Sequence, residues 1–376
     1  MSSPTQNSAR TPSSEQREAE KTPATPVPAP QNGATRAATA RDPYFDNAKY
    51  LAILLVVMGH LWPAVIEGSR ATRGLYMLVY AFHMPVFILI SGYLSRSYTG
   101  RPDQLKRLLT GVAVPYVVFE VAYTLFTRWG TGGFRPISLL HPTYLMWFLI
   151  ALFIWRLTTP FWRVVRWPVT TSLVIAGLAS VTPAIGAALD LTRVLQLLPF
   201  FVIGLSMKPE HFALLRRRPV RIASAVVLVA AVPFFYWQAP AFYLNWFYRS
   251  RSVQELGAGV GWGMFLVALL FVGTLVLAAA FLSLVPGTRR WFTALGAGTI
   301  CGYVLHGFLI RGATYLGFFE DYPWLSTATG RVAVTVIAMA AITLLCTPPV
   351  RKALKWVTEP EMSWAFRKET PAAKQA

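Results

Sequence analysis

The sequence predicts an all-α, polytopic integral membrane protein with about ten transmembrane helices and with both termini in the cytoplasm. Hydrophobic residues make up 55% of the 376-residue chain, charged residues make up 14%, and the mean hydropathy is +0.46. Soluble domains usually carry about 25% charged residues, so this composition excludes a soluble class. Apolar segments recur along the chain, and each is long enough to cross a hydrocarbon core of about 30 Å.

The chain divides into three predicted regions. Residues 1–40 are rich in Pro, Ser, Thr and Ala and contain no aromatic residue, so they predict a disordered cytoplasmic tail. They also lack an apolar stretch behind a basic start, so they are not predicted to be a cleaved secretory signal. Residues 41–350 are the predicted membrane domain, and 351–376 are predicted to form a cytoplasmic C-terminal tail.

Ten apolar segments justify the predicted helix count. Their approximate spans are 49–66, 75–95, 108–127, 143–159, 169–188, 191–207, 221–237, 260–285, 293–312 and 330–348. Pro183 and Asp190 interrupt the pair of segments around 169–207, which makes these two the least regular of the ten.

The basic residues report on orientation. The chain has 35 Lys and Arg against 16 Asp and Glu, a net charge of +19 that would suggest nucleic-acid binding in a soluble protein. Apolar segments separate these charges, and with a cytoplasmic N-terminus 26 of the 35 fall on the inner loops and the two inner terminal segments, as the positive-inside rule requires. The nine on the outer side are Arg70, Arg73, Arg128, Arg135, Arg193, Arg249, Arg251, Arg311 and Arg331. One missed helix would invert every later loop and spoil this agreement.

Two cysteines, Cys301 and Cys346, exclude a disulfide scaffold and a CxxC-type metal site. Both lie in apolar surroundings and are predicted to be small buried side chains. No metal site is predicted.

Three ionisable residues lie at similar predicted depth on three consecutive helices. His60 follows Lys49 by eleven residues, which places its imidazole about 16 Å from the cytoplasmic edge. His83 and Glu120 reach a comparable depth on the next two helices. Ionisable groups inside a membrane are costly and are therefore functional hypotheses, so we predict one polar cavity. Histidine has the pKa of a general base, which a carboxylate can orient.

Each of the three has a structural alternative. His60 can be a neutral histidine hydrogen-bonded between helices. His83, which precedes Met84 and Pro85, can satisfy a carbonyl that the proline frees. Glu120 can form an interhelical ion pair without a chemical role.

Five motifs in a fixed order resemble one known family. They are RDPYFDNAKYLAILLVVMGH with its basic-X10-His spacing, AFHMPVFILISGYLSRS, TYLMWFLIALFIW, LPFFVIGL and GAGTICGYVLHGFLI. From about residue 41 to 350 the chain resembles the acyltransferase 3 family of integral membrane O-acyltransferases, and within it the fucose 4-O-acetylase-like branch. Many family members have Arg at the position of Lys49. Their basic pair after the second helix has only loose candidates here, Arg101, Lys106 and Arg107.

The resemblance implies transfer of an acyl group, usually acetyl, from cytoplasmic acyl-coenzyme A to a hydroxyl, usually of a sugar. We predict His60 and Glu120 as catalytic residues. His60 acts either as the base for the hydroxyl or as the nucleophile of an acyl-histidine intermediate. The predicted donor-binding residues are Lys49, Ser91, Arg96 and Arg107. The alternative for the basic residues is an ordinary topology signal, and for Ser91-Gly92 it is close helix packing.

Aromatic and polar residues toward the outer side are the predicted acceptor site. These are His83, Trp147, Asn245 and Trp246. An interfacial aromatic belt is the alternative for the two tryptophans. His306 lies within the last family motif and is expected to be structural or supporting.

Two other functions remain open from the sequence. The acceptor can be a small secondary metabolite such as a macrolide sugar, or the protein can be a transporter or flippase in which His60, His83 and Glu120 relay protons. The expected partners are acyl-coenzyme A as the donor substrate, a sugar, glycan or glycolipid acceptor, and membrane lipid, without nucleic acid. The expected location is the cell membrane.

Overall fold

The computed structural model describes residues 42–183, 185–186 and 188–367, which form helices and connecting turns and no β-strand. The tail predicted over residues 1–40 lies outside this part of the chain. So do the last residues of the predicted C-terminal tail, from 368 onward. The all-helical prediction is confirmed for the described residues.

Ten helices correspond to the ten predicted apolar segments. They are α1 (Pro43–Leu61), α2 (Arg70–Leu94), α3 (Pro102–Thr131), α4 (Trp147–Leu157), α5 (Pro168–Val181), α6 (Leu191–Ser206), α7 (Arg218–Gln238), α8 (Val260–Leu284), α9 (Thr299–Tyr315) and α10 (Ala328–Leu345). A π-helical turn interrupts α3 at Leu109–Ala113, and a 3-10 turn at Tyr144–Met146 leads into α4.

Within the described chain, six helices are long and apolar enough to cross a membrane: α2, α3, α6 with the turn before it, α7, α8 and α10. The protein is therefore a polytopic membrane protein. That all ten helices cross the membrane stays a prediction.

Helix α1 begins six residues earlier than predicted because its start has its own cap. The Asp42 side chain accepts a hydrogen bond from the backbone N–H of Tyr44 at 2.9 Å, and Pro43 occupies the first helical position. The helix ends at Leu61 and continues as a short 3-10 turn. His60 consequently lies in the last turn of α1, whereas the predicted span 49–66 would have continued the helix six residues beyond it.

Three short helices have proline in their first turn, and they span Thr159–Val164, Pro209–Leu215 and Pro348–Thr358. The first two connect longer helices, and the third follows α10. The last of these crosses the predicted boundary at residue 350, so the chain stays helical beyond the predicted membrane domain. Helix α5 ends at Val181, earlier than the predicted residue 188, because Pro183 disfavours a helical conformation for Thr182.

The backbones of α2 and α6 meet at two glycines. A Cβ atom on Gly92 would overlap the carbonyl oxygen of Phe201, and one on Gly204 would overlap the carbonyl oxygen of Leu89. The Ser91-Gly92 pair therefore serves close helix packing, as the alternative interpretation held.

The two cysteines lie on adjacent elements. Cys301 in α9 is fully buried, Cys346 at the end of α10 is almost fully buried, and both are free thiols. A Cβ atom on Gly302 would approach the Cys346 sulfur within 2.7 Å. The prediction of small buried side chains is confirmed.

Candidate active site

A cavity of about 580 Å³ opens among the helices near the end of α1 and the beginning of α4. Its polar lining comes from α1, α2, α6, α8, α9, the turn into α4 and the segment 247–249. The polar and aromatic residues that line it are His60, Tyr76, Tyr80, His83, Tyr144, Trp147, Arg193, Phe200, Phe247, Tyr248, Arg249, Thr274, Tyr303, Arg311 and Thr314. Three arginines and two histidines thus share one cavity, and none of its described lining residues is Asp or Glu.

His60 faces this cavity from the last turn of α1. The His60 side chain is half-buried. Its ring centroid lies 5.0 Å from the ring centroid of Tyr144 and 5.3 Å from that of His306. Because Gly59 has no side chain, the Tyr80 ring can pack close to α1 beside His60. A Cβ atom on Gly59 would come within 3.2 Å of that ring. A histidine held among aromatic rings yet open to a cavity can exchange a proton with a bound ligand.

His83 lines the same cavity, and the structure excludes the alternative that it satisfies the carbonyl freed by Pro85. That carbonyl belongs to Ala81, four residues before the proline, and it accepts a hydrogen bond at 2.8 Å from the Thr274 hydroxyl of α8. His83 Nδ1 instead donates to the Val79 carbonyl at 2.8 Å. The ring of His83 packs edge-on against Tyr80, with centroids 4.8 Å apart.

Glu120 does not line the cavity. Its carboxylate is fully buried and accepts hydrogen bonds from the backbone N–H of Thr143 at 2.7 Å and from the Thr143 hydroxyl at 2.6 Å, and Thr124 donates a third at 3.4 Å. The prediction that Glu120 shares one polar cavity with His60 and His83 is therefore wrong, because these threonines engage both carboxylate oxygens away from the cavity. The contact to Thr143 fixes the residue just before Tyr144, so Glu120 reaches His60 only through that turn.

Tyr144 itself has unusual backbone geometry. Its φ is 57°, in the left-handed region that a tyrosine rarely adopts. The Arg311 guanidinium lies 4.4 Å from its ring centroid on one side, and His60 packs against it on another. Backbone strain of this kind persists only where the surroundings hold it, and Glu120 with Thr143 provides that support.

His306 lies behind His60 and does not itself line the cavity. Its Nδ1 donates to the Gly302 carbonyl at 3.0 Å, while its Nε2 is buried without a hydrogen-bond partner among the described residues. The bond at Nδ1 fixes the tautomer, so Nε2 presents a lone pair. A buried acceptor without a partner costs free energy, so this nitrogen is a candidate to accept a hydrogen bond from a neighbouring group during function.

The three cavity arginines differ in their surroundings. Arg193 pairs with Asp190, with 2.7 Å between Nη1 and Oδ2, donates to the Tyr248 carbonyl and stacks 4.6 Å from the Trp147 ring. Arg311 stacks on Tyr144 as described. The Arg249 side chain makes no hydrogen bond, ion pair or ring contact with another described residue. Burial lowers the pKa of Arg249 to about 10, so the guanidinium remains cationic at neutral pH.

The predicted acceptor residues are only partly brought together. His83 and Trp147 line the cavity. Asn245 and Trp246 do not line it, although they belong to the short helix Asn245–Tyr248 that brings Phe247, Tyr248 and Arg249 to the wall. Trp246 is buried, and Asn245 donates to the Tyr243 hydroxyl.

None of the predicted donor-binding residues lines the cavity. Lys49 lies eleven residues before His60 on α1, with its Nζ 2.7 Å from the Asp46 carboxylate. Arg96 follows α2, where its guanidinium stacks 3.6 Å from the Tyr93 ring. Ser91 is half-buried near the end of α2, and Arg107 is exposed on α3. Lys49, Ser91 and Arg96 lie toward the ends of α1 and α2 that are opposite to the cavity.

Sequence reasoning did not select the arginines or tyrosines of the cavity. Arg193, Arg249 and Arg311 had been assigned only to the outer side of the membrane. Their departure from the positive-inside pattern was the available signal. Three of the nine basic residues assigned to the outer side line this one cavity. The tyrosines gave no signal, because aromatic residues at helix ends are also typical of an interfacial belt.

The fold and the cavity define a class, that of polytopic membrane proteins with a buried histidine-containing site. Within that class, residues 42–349 match the acyltransferase domain of the acyltransferase 3 family, so the chain belongs to this family. The predicted resemblance to the family is confirmed, and the fucose 4-O-acetylase-like branch stays a prediction.

Two curated relatives are similar over most of their length. Nodulation protein NolL of Mesorhizobium japonicum is 28% identical over 341 residues, which covers 80% of this chain and 86% of the relative. Nodulation protein NolL of Sinorhizobium fredii is 26% identical over 325 residues, covering 78% of this chain and 85% of the relative. No solved structure gives a significant match.

Family membership determines the general activity. The protein is a membrane O-acyltransferase that transfers groups other than aminoacyl groups. The alternative of a transporter or flippase without chemistry is therefore not retained.

Proposed function

We propose that the protein transfers an acyl group, in the first instance acetyl, from acyl-coenzyme A to a hydroxyl of a sugar or glycan at the cell membrane. The observation that carries this proposal is the position of His60. It is a half-buried imidazole on the wall of a cavity large enough for a small ligand, and it is backed by a second histidine with an unpartnered nitrogen.

His60 acts as the general base. Its neutral imidazole removes the proton from the acceptor hydroxyl, and the oxygen attacks the thioester carbonyl carbon. The C–O bond forms, the C–S bond breaks, and the imidazolium returns the proton to the departing thiolate, which leaves as free coenzyme A. A base of this kind contributes typically a factor of about 100 to 10,000 in rate.

His306 is a positioning residue in this scheme. Because its Nδ1 donates to the Gly302 carbonyl, its Nε2 can accept a hydrogen bond from a ring N–H of His60. The 5.3 Å separation of the two ring centroids brings the rings side by side. That bond would direct the other nitrogen of His60 toward the acceptor.

Arg311 stabilises the negative charge that develops on the carbonyl oxygen. Its guanidinium stacks on Tyr144, whose ring touches His60, so a cation lies close to the reacting centre. Fixed positive charge at such a position in a low-dielectric site favours the transition state over the ground state.

The donor approaches from the basic inner end, and the acceptor occupies the cavity. Lys49, Arg96 and Arg107 lie toward that end and attract the anionic headgroup of coenzyme A. About 16 Å of helix separates Lys49 from His60, a distance that the extended arm of the donor must cover. The aromatic lining, including Trp147, Tyr80 and Tyr248, offers flat apolar faces for the C–H groups of a sugar ring.

The test measures acetyl transfer by the purified full-length protein in lipid nanodiscs. Acetyl-coenzyme A is supplied with a panel of sugars, short glycans and a macrolide glycoside, and both free thiol and acetylated product are measured. His60→Ala should lower kcat roughly 100- to 10,000-fold. His141→Ala is the matched control, because His141 is exposed and does not line the cavity.

The contrary results are specific. Wild-type transfer by a correctly folded His60→Ala protein would disprove the role of His60. An acyl-histidine mechanism would instead give a protein 42 mass units heavier after brief exposure to acetyl-coenzyme A alone, roughly the mass of one acetyl group replacing a proton.

A further inference from the structure

Arg249 is a cation that the proposed mechanism does not use. It follows the short helix Asn245–Tyr248, lines the cavity, and has a φ of 54° in the left-handed region. Its side chain has no hydrogen bond, ion pair or ring contact with another described residue, whereas neighbouring polar side chains are engaged. A non-glycine residue in this backbone conformation persists where the surroundings require it.

The other two cavity arginines, Arg193 and Arg311, both have partners within the protein. Arg193 is neutralised by Asp190 and holds the Tyr248 carbonyl, so it fixes the segment that carries Arg249. Arg311 is stacked on Tyr144. Arg249 has neither kind of partner, and the described lining contains no carboxylate that would neutralise it.

The Arg249 guanidinium is half-buried on the cavity wall, and a cation partly withdrawn from water without a counter-ion is costly. Its planar set of donors fits a carboxylate or a phosphate, each of which it can bind with two parallel hydrogen bonds. The unpaired charge and the acid-free lining therefore both favour an oxyanion in this part of the cavity.

We propose that the acceptor is an acidic sugar, and that Arg249 binds its oxyanion while a hydroxyl of the same molecule reaches His60. This inference rests on the proposed acyl transfer, and it adds a charge requirement to the acceptor. The oxyanion is the carboxylate of a uronic-acid-type sugar or the phosphate of a phosphorylated sugar. Arg193 holds Arg249 in place through Tyr248 and lends further positive potential.

The location of Arg249 favours the acceptor over the donor as the source of the anion. Arg249 lies in a segment predicted to be on the outer side, between α7 and α8, while the residues expected to attract coenzyme A lie toward the opposite ends of α1 and α2. The donor phosphates would have to pass the reacting centre to reach Arg249.

Binding is measured without catalysis, on the full-length protein in nanodiscs, by ligand-induced thermal stabilisation. The probes are matched pairs: methyl glucoside with methyl glucuronide, methyl galactoside with methyl galacturonide, and mannose with mannose 6-phosphate. The first two pairs test a carboxylate and the third tests a phosphate. The protein variants are wild type, Arg249→Gln, Arg249→Lys and the control Arg128→Gln, whose arginine lies in the last turn of α3 and does not line the cavity.

We expect the anionic member of at least one pair to bind the wild type roughly tenfold or more tightly than its neutral partner, as for one charge-assisted bidentate contact. Arg249→Gln should abolish that preference. Arg249→Lys should keep part of it, because charge remains without the planar fork. Arg128→Gln should keep all of it, and added salt should weaken it.

Several results would overturn the proposal. These are equal binding, or no binding, by both members of every pair in the wild type, and a preference that survives in Arg249→Gln. A tenfold loss of acetyl-coenzyme A binding in Arg249→Gln with unchanged sugar binding would assign the anion to the donor and also overturn it.

The two proposals can fail separately. Charge preference without thiol release from any acceptor would retain the anion site and reject the proposed transfer. Thiol release with neutral sugars that is lost in His60→Ala, together with no effect of Arg249→Gln, would support the proposed transfer and reject the anion site.

Discussion

At the scale of single residues, Glu120 shows how a buried carboxylate can serve a site that it does not touch. Its oxygens hold Thr143 by both the backbone N–H and the hydroxyl. The next residue, Tyr144, is the left-handed tyrosine that packs against His60 and Arg311. Glu120 thus fixes the distance between the base and a cation through one turn.

We predict that Glu120→Gln lowers kcat and the melting temperature together. An amide group replaces one acceptor oxygen with a donor, so one of the bonds from Thr143 is lost, at a cost of about 1.5–3 kcal/mol. The pH dependence of kcat should keep the wild-type shape, because His60 remains the base. Activity and melting temperature are measured on the same nanodisc preparation.

Thr143→Ser is the matched control, since serine keeps the hydroxyl and the backbone N–H that Glu120 binds. It should leave kcat close to wild type. A changed pH profile in Glu120→Gln would contradict the positioning role and indicate that the carboxylate takes part in proton transfer.

Part of this site was predictable from individual residues. Histidine in an apolar helix is conspicuous, so His60 and His83 were correctly placed in one cavity. Arg249 was not predictable, because its place on the wall depends on a left-handed residue after a helix of four residues. The partner of Glu120 was also hidden, since Thr143 lies 23 residues away and hydroxyl groups are common in loops.

At the scale of helices, α2 carries both packing and chemistry. Its inner half approaches α6 through Gly92, and its outer half contributes Tyr80 and His83 to the cavity. Between them, Pro85 frees the Ala81 carbonyl, which Thr274 of α8 satisfies. Contacts to two helices therefore fix the position of His83.

We predict that Gly92→Ala destabilises the protein by about 1–3 kcal/mol, because the added methyl group overlaps the α6 backbone. Since the backbone cannot yield as a side chain can, α2 must move away from α6. The measurement is the melting temperature in nanodiscs, together with the acetyl-transfer rate.

Gly273→Ala in α8 is the comparison, because a Cβ atom there meets nothing within 4 Å. Its effect should be neutral or stabilising by up to about 1 kcal/mol, the helix preference of alanine over glycine. Equal melting temperatures for the two variants would disprove the close contact between α2 and α6.

The positions of the helices were more predictable than their ends. Long apolar segments located all ten helices, because hydropathy does not depend on tertiary contacts. The ends depend on local caps: Asp42 extends α1 toward the N-terminus, and Pro183 shortens α5. The helix Pro348–Thr358 was missed because basic residues interrupt its apolar ones, so it contains no continuous apolar segment.

At the scale of the whole molecule, the two ends of the bundle differ in character. One end has the residues predicted to attract an anionic donor, and the other has the cavity with His60. The charge pattern predicted this orientation from the sequence, since it depends only on counting Lys and Arg in loops. The cavity was less predictable, because seven separate parts of the chain contribute to its polar lining.

We predict that ten helices cross the membrane. Single cysteines at Phe134 and Tyr322 should react with a membrane-impermeant maleimide in intact cells, and cysteines at Arg107 and Arg289 should react only after permeabilisation. All four side chains are exposed in the structure, so labelling reports the side of the membrane. One crossing fewer between Arg107 and Arg289 would reverse the results at Arg289 and Tyr322.

The burial of Cys301 and Cys346 makes that experiment simple. They are the chain's only two cysteines, and neither offers an appreciable surface to solvent. The native sequence should therefore be nearly silent toward thiol reagents, and no cysteine-free background has to be constructed. Fluorophores or spin labels can be placed one at a time on an otherwise unaltered protein, including beside the cavity, where they would report ligand entry directly.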